Sequence, residues 1–270
     1  MKIEQEYRLA LTAAEYDRLR TSLGEPLHFH RLRNHYFDTA AEDLRRRGFG
    51  LRLREQEGRY RLAWKGPNRV TAEEASGGIS RRWEEEREIP ATKARKMLAE
   101  GATLGEFATE SLPGSSRLPA EIEPLRADRV RTIGWVETER AIFAISNIER
   151  QDRIGQAPAR PGDPAGGPRP GGPLPDHPGD LRAASAGQPM PGEACLELDR
   201  VRFPGGRIEY ELEVEWSGGH GLSLGQRLRG WLAVLDIAAR PQPETKLARF
   251  FRYRAPGRPS DQGAKAEDRE

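Results

Sequence analysis

Carboxylates and cations recur at every second residue in several short stretches of this sequence. The stretch "IEQEYRLAL", beginning at Ile3, sets Glu4, Glu6 and Arg8 on alternate positions, with Ile3, Tyr7 and Leu9 among the residues between them. "GLRLRE" alternates Arg52 and Arg54 with Leu51 and Leu53, and "RYRLAWKG" alternates Arg59, Arg61, Ala63 and Lys65 with Tyr60, Leu62 and Trp64. "RRWEEEREIP" places Arg82, Glu84, Glu86 and Glu88 on one face, and "CLELD" pairs Glu197 with Asp199. "IEYELEVEW" opposes Glu209, Glu211, Glu213 and Glu215 to Tyr210, Leu212, Val214 and Trp216. A period of two is that of a β-strand, whose successive side chains point to opposite faces. Each stretch therefore predicts a strand with one charged face, set against an apolar face in all but "RRWEEEREIP".

An antiparallel sheet with one wet face gives the same alternation. A solvated strand, however, normally mixes signs, because like charges side by side repel. Here acidic and basic strands are segregated. That suits a sheet closed into a barrel with a charged lumen, its apolar faces turned outward beneath helices. Carboxylates buried in such a lumen need cations. The basic strands supply some, and a hard divalent ion, which takes carboxylate oxygens, can supply more. Guanidinium forks in turn match phosphate oxygens. A lumen acidic on one side and basic on the other is a holder for metal plus polyphosphate.

The elements around these strands look peripheral. "TAAEYDRLRTSLG" predicts a helix with Thr12 as N-cap, Glu15 completing a capping box, and Gly24 as the stop. "ATKARKMLAEG" predicts a second, short helix. "LSLGQRLRGWLAVLDI" predicts a third, with Leu224, Leu228, Trp231, Leu232 and Leu235 on one stripe. "HYFDT" and "AIFAISNI" add two further strands. Residues 155–193, saturated with proline and glycine, predict a disordered insertion, and residues 256–270 a disordered tail. One domain over residues 1–255 remains.

Composition narrows the function classes. Forty-four basic residues against forty-two acidic give a formal charge of +2, and aromatics make up 7%. Both argue against a nucleic-acid partner held by bulk positive charge or by stacking. One cysteine, Cys195, excludes a disulfide framework, and no apolar run is long enough to span a bilayer. The expectation is a soluble, cytoplasmic protein with no membrane partner. The five histidines show no metal-ligand spacing. Asp38 suits either a turn or a ligand set.

Glu4-x-Glu6-x-Arg8 resembles the N-terminal signature of the CYTH superfamily, the triphosphate tunnel metalloenzymes. "YFDTAAEDLRRRGFGLRLRE", "LAWKGP", "YELEVE" and "ETKLARF" are similar to further blocks of that family, in its order. The resemblance implies an α+β fold built on an eight-stranded antiparallel tunnel. It implies that Arg52, Arg54, Lys65, Arg140 and Lys246 bind a small-molecule triphosphate, with Glu88 at an acidic position for which Glu86 competes. It implies that Glu4 and Glu6 hold Mg²⁺ or Mn²⁺ with Glu211 and Glu213, helped by Glu197 or Asp199, and that Glu4, Glu6, Arg8 and Lys65 carry the catalysis. The family's usual Lys is here Arg8, which keeps the charge and can bind phosphate but does not lose a proton. The activity implied is a metal-dependent triphosphatase. The alternatives are a class IV adenylate cyclase and a non-catalytic polyphosphate-binding module. The oligomeric state is left open by the sequence.

Overall fold

A computed structural model of the protein describes residues 2–112, 118–144, 195–216 and 221–254. The 155–193 insertion and the 256–270 tail lie outside the described residues. Among the described residues there are ten strands: β1 (Lys2–Leu11), β2 (His28–Asp38), β3 (Gly50–Gln56), β4 (Arg59–Lys65), β5 (Ile79–Ile89), β6 (Ala102–Thr103), β7 (Arg129–Ala144), β8 (Cys195–Arg202), β9 (Ile208–Glu215) and β10 (Arg240–Pro241). Eight of them form a ring in the order β1-β5-β4-β3-β2-β7-β8-β9, and β9 pairs back onto β1. Every pairing is antiparallel. The result is the closed eight-stranded barrel, with two-residue strands attached at β7 and β1.

Local chemistry sets the turns. Gln56 pairs with Arg59, so β3 and β4 are joined by Glu57-Gly58 alone. Both residues have positive φ (51° and 76°), as a two-residue hairpin turn of matching twist requires. Between Tyr36 and Phe37 the register with β7 slips at a bulge, where Gly134 adopts φ 141°.

Seven helices are described: α1 (Ala13–Leu23), α2 (Asp43–Arg46), α3 (Ala72–Ser76), α4 (Ala91–Glu100), α5 (Leu104–Ser111), α6 (Gly221–Val234) and α7 (Lys246–Tyr253). None of the described helices is long and apolar enough to cross a membrane. Thr12 and Glu15 form the expected capping box at the start of α1, and Tyr16, Leu19 and Leu23 are its buried apolar residues. Two apolar clusters sit outside the barrel wall, and a third, under α7, lies on the lumen side at one end. One cluster joins Leu51, Leu53, Leu62 and Trp64 of β3 and β4 to Phe107 of α5 and Met97 of α4. A second joins Leu9, Leu198, Leu212 and Val214 to Leu19 of α1 and to Trp231 and Leu232 of α6. A third joins Phe250 of α7 to Tyr36, Val136, Val201 and Phe203. Because the outward faces take the apolar residues, the charged faces are left to the lumen.

Candidate active site

Strand alternation carries Glu4, Glu6 and Arg8 of β1 into the barrel, where all three are buried and line a cavity of about 350 Å³. Arg52 and Arg54 of β3, Lys65 at the end of β4, Arg82 of β5, Arg140 of β7, Glu213 and Glu215 of β9 and Lys246 of α7 line the same space. Leu32, Asn34 and Tyr36 of β2, with Thr138 of β7, make its neutral wall.

The charges form two groups. Around β1, Lys65 Nζ donates to Glu4 at 2.8 and 3.0 Å and lies 3.1 Å from Glu84. Arg82 bridges Glu4, at 3.4 Å, and Glu6. Arg52 lies 3.3 Å from Glu84 and 3.2 Å from Glu86. Burial alone would raise the Glu84 carboxyl, but Lys65, a hydrogen bond with Glu4 and Arg52 together hold it down at about 2. Around β8 and β9, Arg140 forks onto Asp199 at 2.8 and 2.6 Å, reaches Glu213 at 2.7 Å and pairs with Glu197. Lys246 Nζ sits 3.0 Å from Asp199 and 2.9 Å from Glu213, and pairs with Glu211. Arg249, one helical turn further along α7, holds Glu209 at 2.7 Å and pairs with Glu211.

Register explains why so many cations converge there. Asp199 faces Glu211 and Glu197 faces Glu213 directly across β8 and β9, an arrangement that repels unless compensated. Burial raises the Glu197 carboxyl to about 7 despite Arg140. Burial also opposes ionisation of Glu213, yet Lys246 and Arg140 hold that carboxyl well below its usual range.

Two lumen side chains make no direct ion pair among the described residues. Arg54 has no ion-pair partner among the described residues; its Nε donates to Asn34 Oδ1 at 3.4 Å. Burial and the neighbouring Arg52 guanidinium lower its pKa. Glu215 likewise has no ion-pair partner among the described residues. Burial, with Glu197 and Glu4 nearby, holds it well above the usual carboxylate range.

Carboxylate oxygens come within 4.8 Å of one another in two separate sets, Glu4–Glu6–Glu215 and Asp199–Glu211–Glu213. The six acids expected around metal are thus split between two walls, with Glu215 joining the first set and Glu197 beside Arg140. Glu88 is exposed, opposite Arg61 in the register, whereas Glu84 and Glu86 are the β5 acids that meet Arg52. Asp38 accepts from the N–H groups of Thr39, Leu44 and Arg45 and so builds the turn into α2. Cys195 is a buried free thiol, pushed up to about 12 by burial and by Glu197.

Arg82, Glu84, Glu215 and Arg249 are lumen or lumen-wall residues that the motif-level reading did not single out. Arg82, Glu84 and Glu215 lie on charged faces that the alternation itself marks. Arg249 follows Lys246 at i+3, a helical spacing that puts both on one face.

The sequence profile of the family described as CYTH domain matches residues 2–150. No curated protein matches the sequence. Among solved structures, the fold is similar to the putative adenylyl cyclase HpAC1 from Hippeastrum, whose reported dominant activity is triphosphatase. The TM-score is 0.63 at 19% identity, over 92% of this chain and 95% of that one. A putative adenylate cyclase from Bacillus halodurans is similar with a TM-score of 0.54 at 19% identity, over 93% of this chain and 100% of that one. The PH1819 protein from Pyrococcus horikoshii is similar with a TM-score of 0.51 at 13% identity, over 93% and 99%.

Proposed function

This chain belongs to the CYTH domain family, and on that premise we propose that it hydrolyses a triphosphate, inorganic or the tail of an organic molecule, with a divalent metal ion. The observation that carries the reading is a pair of lumen side chains with no direct ion pair among the described residues. Among the described residues Arg54 makes no direct ion pair, although it helps to hold the Glu86 carboxyl down, and Glu215 has no cation in contact, both in one cavity. A polyanion answers the first and a metal ion the second.

The donor set fits a hard ion such as Mg²⁺ or Mn²⁺, since Glu4, Glu6 and Glu215 offer only carboxylate oxygens within 4.8 Å. When bound, the ion supplies charge neutralisation on phosphate oxygens and acidifies a coordinated water. The protein's own part is positioning and electrostatics. Arg54 grips a phosphate from one wall, and Arg52 and Lys65 turn from their carboxylates to phosphate oxygens as substrate enters. Lys246 reaches in from the start of α7, where the positive end of the helix dipole also faces the cavity. A carboxylate of the Glu4–Glu6 pair orients the attacking water, while the cation ring stabilises the charge that shifts during P–O cleavage. The triphosphatase activity described for the Hippeastrum protein favours hydrolysis over cyclisation. The single cysteine suits a cytoplasmic setting.

The test is a phosphate-release screen of purified protein against inorganic triphosphate, ATP and thiamine triphosphate, with Mg²⁺ or Mn²⁺, while cyclic AMP is assayed from ATP. Metal-dependent phosphate release without cyclic AMP supports the assignment. Cyclic AMP as the main product would make it a cyclase, and binding without turnover would leave a polyphosphate-binding module.

A further inference from the structure

Arg8 lines the cavity, yet its donors are turned to the protein's own backbone. Nη1 lies 3.2 Å from the carbonyl oxygen of Glu244, and Nη2 lies 3.4 Å from that of Pro243. Nε faces Glu6 at 3.4 Å. The side chain is 2% exposed, so little of it is open to a ligand. Pro243 and Glu244 lead directly into Thr245, which caps α7, and Lys246, its first residue. The same segment is fixed to the same strand by main-chain contacts. Gln242 N–H donates to Arg8 O at 2.9 Å, and Pro241 pairs with Leu9.

We propose that Arg8 is a positioning residue, clamping the approach to α7 so that Lys246 is held at the phosphate site, and that it does not itself touch substrate. This rests on the hydrolase reading for its functional meaning. A planar fork of five donors can meet two successive carbonyls and a carboxylate together, whereas an ammonium is a single point of charge on a flexible stem. Arg54 differs: it makes no direct ion pair among the described residues and lines the cavity, so it can take up an anion, while Arg8 is spent on the scaffold. The far end of α7 is held separately, by Phe250 in the third core cluster and by Tyr253 pairing with Glu209. Loss of the Arg8 clamp therefore loosens the Lys246 end and leaves the rest of the helix seated.

A double-mutant cycle between Arg8→Lys and Lys246→Ala decides the matter, because only residues acting through one another depart from additivity. Arg8→Lys alone should raise KM for triphosphate about tenfold with kcat much less affected, the effect of losing one to two hydrogen bonds. In the Lys246→Ala background the same substitution should change KM less than about twofold. A full tenfold effect in both backgrounds would mean that Arg8 grips substrate directly and would overturn the proposal, as would an unchanged KM in Arg8→Lys. Hydrogen exchange of the uncomplexed protein gives a readout independent of turnover. Amides of residues 246–249 should exchange faster in Arg8→Lys than in the wild type, and those of 250–253 at the wild-type rate. Unaltered exchange at 246–249 would refute the clamp even if the protein proved to hydrolyse nothing. Should Arg8→Lys fail to fold, Arg8→Gln, whose amide reaches one carbonyl, serves the same cycle.

Discussion

Gly134→Ala should unseat α7, the helix that carries Lys246. Gly134 sits at the bulge in β7 with φ 141°, and a Cβ built there falls 2.6 and 2.7 Å from two ring atoms of Phe250. Carbon atoms in good contact are about 3.5–4.0 Å apart, so the ring would have to retreat by roughly 1 Å. It has nowhere easy to go. Phe250 is 1% exposed and packs on Tyr36 with centroids 5.4 Å apart. Overpacking a filled site costs about 1–3 kcal/mol, and a side chain at this φ adds about 1–3 kcal/mol. For a domain of this size each kcal/mol lowers Tm by about 2–4 °C, so a fall of roughly 5–20 °C is expected in a thermal melt. Phe250→Leu on top of Gly134→Ala should recover part of it by relieving the clash. KM for triphosphate should rise in the single variant, because Lys246 moves with the helix. A Gly134→Ala protein that melts within a degree or two of the wild type would refute the notch-and-ring packing and the seating of α7 that depends on it.

Arg140→Met should destabilise the fold by about 3–5 kcal/mol in urea unfolding, since it removes the cation paired with Glu197 and leaves Asp199 and Glu213 to Lys246 alone; a loss below about 1 kcal/mol would show that the lumen is wetter than the burial implies. Glu6→Gln should abolish metal-dependent turnover while circular dichroism stays unchanged, and near-normal activity at low metal concentration would remove Glu6 from the metal set. Burial pushes the Glu15 carboxyl up, but N–H groups of Thr12 and Ala238, the Thr12 hydroxyl and Arg240 outweigh it and bring the pKa from 4.5 to about 2. A lowered folded-state pKa adds stability that is present above about pH 4.5 and disappears as pH falls through about 2, at most roughly 3 kcal/mol. Glu15→Gln should therefore lower Tm at pH 7 and make little difference near pH 2, and a deficit that does not depend on pH would contradict the assignment.

The inward turn of the charged faces was legible because it broke a rule that solvated strands obey: four glutamates of one sign recur along β9, and arginines along β3. The alternation holds wherever a helix covers the outside of the wall. It fails along the first half of β2, where Phe29 is 44% exposed and Arg31 and Arg33 also face outward, so neither face reads as apolar. The first half of β7 was hidden for a second reason, the bulge at Gly134, which shifts the period by one residue. α5 was overlooked although Thr103 and Glu106 form a capping box, because eight residues show too little periodicity. The split of the acids into two sets could not be read from strand order alone. It depends on which strands become neighbours when the barrel closes, and β1 meets β9 only through that closure.

A lumen built for a triphosphate rather than for any anion should show it in ligand-induced stabilisation, which does not depend on turnover. Purified protein is melted with inorganic triphosphate and with monophosphate at equal concentration, each with Ca²⁺ as the metal. At a hundredfold excess over its dissociation constant a ligand of the native state adds about 2.7 kcal/mol, or roughly 5–10 °C here. A shift of that size is expected with triphosphate, far less with monophosphate, and a sharp loss of the triphosphate shift in Arg54→Ala. Equal shifts for the two anions, or an undiminished shift in Arg54→Ala, would contradict this expectation.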